Sequence, residues 1–213
     1  VLGAPVVEAG VEFGALDADT HFAIGDLDVE SREERSEQLA ADVVPTTEGE
    51  PIKECDVDAL EDYQSVVGGW IEPVDVPALG VTVYVHEEGL MLNLPFNPRA
   101  TFLWWYFVPE ARQRAMLVGP ALITGLPDRN GDSTNVPSEV VAMLAHPGEW
   151  RVEVRTVGDP KWYRNQMTYG DYFEALAWAM VTLERWTAAE DTRVVPVLHD
   201  EVASTYVSPP SAA

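Results

Sequence analysis

Of the first 62 residues, 18 are Asp or Glu and three are basic (Arg32, Arg35 and Lys53), which leaves −15 on less than a third of a 213-residue chain. Up to about Pro51 the apolar residues are scattered among Gly, Asp, Glu and Thr. They are too few to offset roughly 1–2 kcal/mol of backbone entropy per ordered residue without outside contacts. This stretch reads as an acidic, loosely ordered N-terminal arm over residues 1–57. Residues 63–213 carry 18 acids against 10 bases, so the total of −23 is concentrated at the front. Such a field repels nucleic-acid phosphates and anionic lipid, which argues against direct nucleic acid or a membrane and for a partner with a basic surface.

At 46% hydrophobic the rest of the chain can bury a core, and roughly 100–200 residues per domain leaves room for one domain and a tail. No run approaches the roughly 18 consecutive apolar residues of a membrane helix, and the start VLGAPVVEAG lacks the basic segment and long apolar stretch of a signal peptide. The expectation is a soluble protein that is not exported. A single cysteine, Cys55, excludes an internal disulfide and a multi-cysteine zinc site.

Within the arm, residues 29–43 hold helix formers, with Ser31 and Glu34 at capping-box spacing but little apolar face. Order is expected to begin near Asp58, which can cap a helix with Glu61 three residues on. Leu60, Tyr63 and Val67 share its apolar face, and Gly68 stops it. Residues 70–76 and 81–86 are β-branched or aromatic and read as strands. The turn Glu87-Glu88-Gly89 would then return residues 90–94 as the second arm of a hairpin. Asn97-Pro98 opens a helix, residues 116–124 are strand-like, 137–145 a short helix, and 150–157 alternate at the period of a half-buried strand. Arg151, Glu153 and Arg155 share one face of that strand. Thr168 with Asp171 starts the longest helix, about 169–187, whose apolar stripe includes Tyr172, Phe173, Leu176 and Met180. The fold class is α+β: a small mixed or antiparallel sheet with packed helices, one domain over 58–200 with its C-terminal strand and long helix at 150–188, and a disordered tail at 201–213.

The segment 58–137 resembles the family known as domain of unknown function 3846, found in bacteriophages, actinobacteria and mobile elements. The residues that carry the resemblance are DYQSVVGGWIEPV (62–74), the EEG turn (87–89), LPFNPRAT (94–101), and LVGPALITG (117–125) followed by Asn130-Gly131-Asp132. The aromatic run Trp104-Trp105-Tyr106-Phe107 is bulkier than the family pattern, and the arm and the part after Val140 lie outside the resemblance. It implies a small α+β domain in a phage or mobile-element accessory protein, in the cytoplasm of a bacterial host, and carries no activity, cofactor or catalytic residue.

Several residue groups could carry chemistry. Asp128, Asn130, Asp132 and Glu139 stand at calcium-loop positions 1, 3, 5 and 12, but position 6 is Ser133 instead of Gly and the run fits equally a polar turn before a helix. The histidines His21, His86, His146 and His199 show no ligand spacing; His86 and Glu87 are neighbours on a strand and point to opposite faces. Cys55 lies in the acidic stretch KECDVD, which raises a thiol pKa and makes a poor nucleophile. No phosphate loop is present, since Gly68-Gly69 follows a helix instead of a strand.

FLWWYF (102–107) serves core packing for most of its rings, with one or two of Trp104, Trp105 and Phe107 left for contact. Lys161-Trp162-Tyr163-Arg164 reads as a loop rich in residue types favoured at binding hot spots. Candidate partner contacts are therefore Glu30, Glu33, Glu34, Glu37, Trp104, Trp105, Arg112, Arg114, Trp162, Tyr163 and Arg164. The function expected is non-catalytic, without a cofactor: a phage or mobile-element accessory protein that binds a host protein with a basic surface, in one version as a nucleic-acid mimic. Two alternatives stay open. One is a module binding a nucleotide-like small molecule between the FLWWYF helix and Arg112/Arg114; the other is a structural virion component.

Overall fold

A computed structural model describes residues 39–197. Five strands form an antiparallel sheet in the order β2-β1-β5-β4-β3: β1 (Leu39–Val44), β2 (Lys53–Val57), β3 (Ile71–Val76), β4 (Val81–His86) and β5 (Ala121–Gly125). A second antiparallel sheet, β7-β6-β8, consists of β6 (Trp150–Thr156), β7 (Trp162–Arg164) and β8 (Ala189–Pro196). The helices are α1 (Leu60–Val67), α2 (Pro98–Phe107), α3 (Ser138–Ala145) and α4 (Tyr172–Arg185). The α+β class and the antiparallel sheet hold, with two sheets where one was expected.

Period-two alternation sorts the side chains of the larger sheet. Val44, Val81, Val83, Val85, Ala121 and Ile123 face one core, which also takes Ala100 and Leu103 of α2, Val152 and Val154 of β6, and Phe173, Leu176 and Ala179 of α4. The opposite face carries Ala41, Tyr84 and Leu122, which share a smaller core with Val57, at the end of β2, and with Tyr63 and Val66 of α1. The Tyr63 ring meets Tyr84 edge-on at 4.9 Å.

The tie between the larger sheet and α2 is Asn97, whose side chain is wholly buried (0% exposed) and hydrogen-bonded at both ends. Its Oδ1 accepts from Ala100 N at 3.0 Å, capping α2, while Nδ2 donates to the carbonyls of Val44 and Gly119, each at 3.0 Å. Its own N–H donates to Leu117 O at 3.0 Å. One turn on, the Thr101 hydroxyl donates to Leu117 O and accepts from Leu117 N at 3.0 Å. The helix start, the end of β1 and the approach to β5 are thereby locked together.

Several expectations change. Regular structure is present well before Asp58: β1 and β2 occupy part of the stretch read as an arm, while residues 29–38 and the tail lie outside the described residues. The cap of α1 sits one residue later than expected. Ala59 is the N-cap, and the Asp62 carboxylate accepts from Asp58 N and Ala59 N at 2.9 and 3.0 Å, which lowers its pKa. Gly68 ends the helix at φ 86°, and a Cβ on Gly69 would overlap the His86 ring, which explains the glycine pair. The expected hairpin after Glu87 does not form: residues 87–94 coil through successive turns, and Phe96 bridges Val118. Gly89 serves close packing, since a Cβ there would stand 2.7 Å from Val118 Cγ2. The strand expected at 116–124 is shortened to β5 because Gly119-Pro120 breaks it. The long helix starts at Tyr172, capped by Asp171, whose Oδ1 accepts from Phe173 N and Glu174 N at 2.8 and 3.0 Å.

Two predictions follow from this packing. Asn97→Ala strands two buried carbonyls and one buried N–H, and a loss of about 3 kcal/mol in urea-denaturation stability is expected; Asn97→Asp at neutral pH is worse, because a carboxylate oxygen would then face both carbonyls. Tyr106, whose hydroxyl donates to Thr192 O, is held by burial at a pKa of about 12. A raised phenol pKa favours folding fully below the unfolded value of about 10, and that contribution is lost as pH rises through about 12. In a phenolate-absorbance titration, Tyr106→Phe removes one ionisation from the last phase and flattens the alkaline loss of stability.

Candidate functional site

Antiparallel register pairs Asp42 with Glu54, so both side chains lie on the same face of the sheet at its β2 edge. The connection between β1 and β2 brings Glu48 and Glu50 to that side. Opposite them stand the first turn of α4, with Asp171, Tyr172 and Phe173, and the junction of α3 and β6, with His146 and Trp150. These elements enclose a cleft of about 540 Å³, within the size range of small-molecule sites. One wall is aromatic: Trp150 meets the His146 ring at 4.8 Å and the Tyr172 ring at 4.7 Å, both edge-on. Burial lowers the His146 pKa.

Arg99 is the cation of this cleft. It occupies the second position of α2, where the helix dipole opposes a positive charge, and it is 5% exposed. Both of its hydrogen bonds leave Nη2, to Pro45 O at 3.1 Å and Thr47 O at 2.8 Å, and its Cζ lies 5.9 Å from the centre of the Phe173 ring. Nε is buried without an acceptor. Burial pulls the guanidinium pKa down against the opposing pull of Asp171, Glu48 and Glu50, and the group stays charged.

A second feature is the turn that replaces the expected hairpin. Leu90 (61% exposed), Met91 (80%) and Leu92 (55%) project from it in succession. The backbone beneath them is pinned by hydrogen bonds from Gly89 N to His86 O, Leu92 N to Glu88 O and Leu94 N to Gly89 O, each at 3.0 Å, with Asn93 at φ 54°. His86 is buried, and its Nδ1 accepts from Glu88 N at 3.0 Å, while Glu87 and Glu88 point to solvent. Phe96 and Met116 are exposed as well, and the Phe96 ring packs against Phe102 at 6.3 Å.

The candidate contacts named from sequence are dispersed. Glu30, Glu33, Glu34 and Glu37, and the histidines His21 and His199, lie outside the described residues. Trp104 is half-buried against the main core, and Trp105 is half-buried with Nε1 donating to Ala115 O at 2.8 Å. Arg112 donates to Trp105 O at 3.3 Å and lies 3.8 Å from Glu184; Arg114 is exposed. Neither arginine lines the cleft, which lies at the opposite end of α2.

Trp162, Tyr163 and Arg164 form edge strand β7 instead of a loop. Trp162 is half-buried between Arg155 and Arg193, whose Cζ atoms lie 5.3 and 4.5 Å from its ring centre, and Tyr163 donates to Asp159. Arg164 is half-buried opposite Glu153. On the same face, Glu153 is paired with Arg193 at 2.7 Å and Arg151 at 3.3 Å, and Arg155 with Asp191 at 3.1 Å.

The would-be calcium loop is a backbone turn. Asp128 Oδ1 accepts from Asn130 N at 2.7 Å and Asp132 N at 3.1 Å, which lowers the Asp128 pKa, while Glu139 stands in the first turn of α3. Among the described residues no three His, Cys, Asp or Glu side chains are grouped to hold a metal ion. Cys55 is half-buried beside the smaller core.

The cleft is hidden in the sequence because Asp42, Glu48, Glu50 and Glu54 lie in a stretch that reads as an acidic arm. The available signal was Arg99, a cation placed against the dipole immediately after a strong helix start.

No helix among the described residues is long and apolar enough to cross a membrane. No curated protein and no solved structure is significantly similar to the chain. A family model covers residues 41–149, taking in β1 through α3 and extending to both sides of the 58–137 resemblance, and on that match the chain belongs to the family described as Domain of unknown function (DUF3846).

Proposed function

We propose that the chain is a non-catalytic binding protein of a phage or mobile element, acting in the bacterial cytoplasm on a host protein with a basic surface. The observation that carries this reading is the exposed ledge Leu90-Met91-Leu92, bordered by Glu87 and Glu88. Three successive apolar side chains on a turn contribute little to the fold and are costly in water, whereas a partner that covers them gains from burying them. The acids beside them, and the net charge of −23, favour a partner whose rim is basic and hasten the encounter. The nucleic-acid mimic is the specific form in which that partner also binds DNA through the same surface. A small-molecule role is a second reading, favoured by the cleft at Arg99.

The test compares the full chain with the triple variant Leu90→Ser/Met91→Ser/Leu92→Ser as bait in a bacterial lysate, at low and high salt and with duplex DNA as competitor. The expected result is a basic protein held by the wild type, released as salt rises because screening weakens exposed charge pairs, and not held by the variant, whose circular dichroism is unchanged. Displacement by DNA supports the mimic form. Equal retention by both baits, or retention indifferent to salt, overturns the proposal.

A further inference from the structure

The cleft combines an acidic rim with a buried cation. Its rim is acidic, with Glu48, Glu50, Glu54 and Asp171 around it and Asp42 on the sheet beneath. Within that rim sits one buried cation, Arg99, which uses two hydrogen bonds from Nη2 and leaves Nε without an acceptor. A guanidinium has five N–H donors in a planar fork suited to a carboxylate; two hydrogen bonds to backbone carbonyls occupy only part of it, and a buried N–H without an acceptor is unfavourable. A bare anion would satisfy Arg99 but be repelled by the rim. A bare cation would suit the rim but meet Arg99. A molecule with a carboxylate at one end and positive groups elsewhere satisfies both.

We propose that this cleft binds a basic zwitterion, a free basic α-amino acid or the last residue of a chain that ends in one, with Arg99 holding the carboxylate and the rim acids holding the ammonium and guanidinium groups. The aromatic wall of Trp150, Tyr172 and Phe173 receives the aliphatic stem and the cationic end. Position in the fold suits this role. The carbonyls of Pro45 and Thr47 fix the guanidinium to the β1–β2 connection, so ligand binding bridges that connection and the start of α4. The inference concerns a face other than the Leu90–Leu92 ledge and stands independently of a protein partner there.

Calorimetric titration of the full chain at low salt tests it with L-arginine, L-lysine, agmatine (which lacks the carboxylate), and a short peptide ending in arginine as the free acid or the amide. The expected result is binding of L-arginine, or of the free-acid peptide, at least tenfold tighter than its carboxylate-free counterpart. Glu54→Gln, at the exposed edge strand, is expected to weaken it several-fold without loss of folded signal, and Arg99→Lys to weaken it while keeping the charge. Free arginine binding identifies a metabolite site, and binding confined to the peptide acid identifies a chain terminus. Absence of binding by every one of these ligands, or equal binding of agmatine and arginine, overturns the proposal.

Discussion

The buried amide of Asn97 is the interaction on which the larger sheet, helix α2 and the cleft all depend. An amide can donate and accept from one short side chain, and here each end is used: the oxygen on the helix start, the nitrogen on the ends of two chain segments that come from either side in sequence. No aliphatic residue of similar size can cap a helix and tie two carbonyls together. Because α2 is set by this lock, Arg99, two residues on, is carried to the β1–β2 connection, and the helix is laid against α4. Tyr106 reaches the backbone of β8 from the last turn of the same helix.

Some of this was legible in the sequence for clear reasons. Asn97-Pro98 is a strong local signal for a helix start, and the helix begins there. β3, β4 and β6 carry β-branched or alternating residues between turn formers, and each falls within a residue of its expected span. What could not be read were elements whose local signal disagrees with their place in the fold. β1 has Asp42 on a buried face, so its alternation looks polar and it passes for part of an acidic arm. Leu90 to Leu92 look like strand residues, and only their pinned turn and exposure show otherwise. Thr168 and Asp171 are both good caps, and pairing of Tyr169 with Trp150 across a bridge decides between them. The cleft depends on residues brought together from four parts of the chain, which no spacing rule encodes.

The two ends of the described region handle charge differently. On the outer face of β7-β6-β8, Glu153 and Asp191 are met by arginines, and the guanidinium groups of Arg155 and Arg193 also cover Trp162. Carboxylates there are neutralised within the molecule: Glu153 is buried and needs its arginine partners, while the more exposed Arg155–Asp191 pair adds little to stability. Around the β1–β2 connection the acids outnumber the cations, and Arg99 is already engaged by backbone carbonyls. There Asp171, Glu48 and Glu50 act together on that one buried guanidinium.

The family match stops at Glu149, one residue before β6. Yet Trp150, Val152 and Val154 of that strand, and Phe173, Leu176 and Ala179 of α4, fill the same interior as Val44, Val83, Ile123 and Leu103 from the matched segment. A fragment cut at the edge of the match would thus present an unroofed apolar floor to water and lose half the walls of the cleft. In this chain the segment shared by descent is smaller than the unit that folds, and its neighbours on the C-terminal side are the roof it cannot do without.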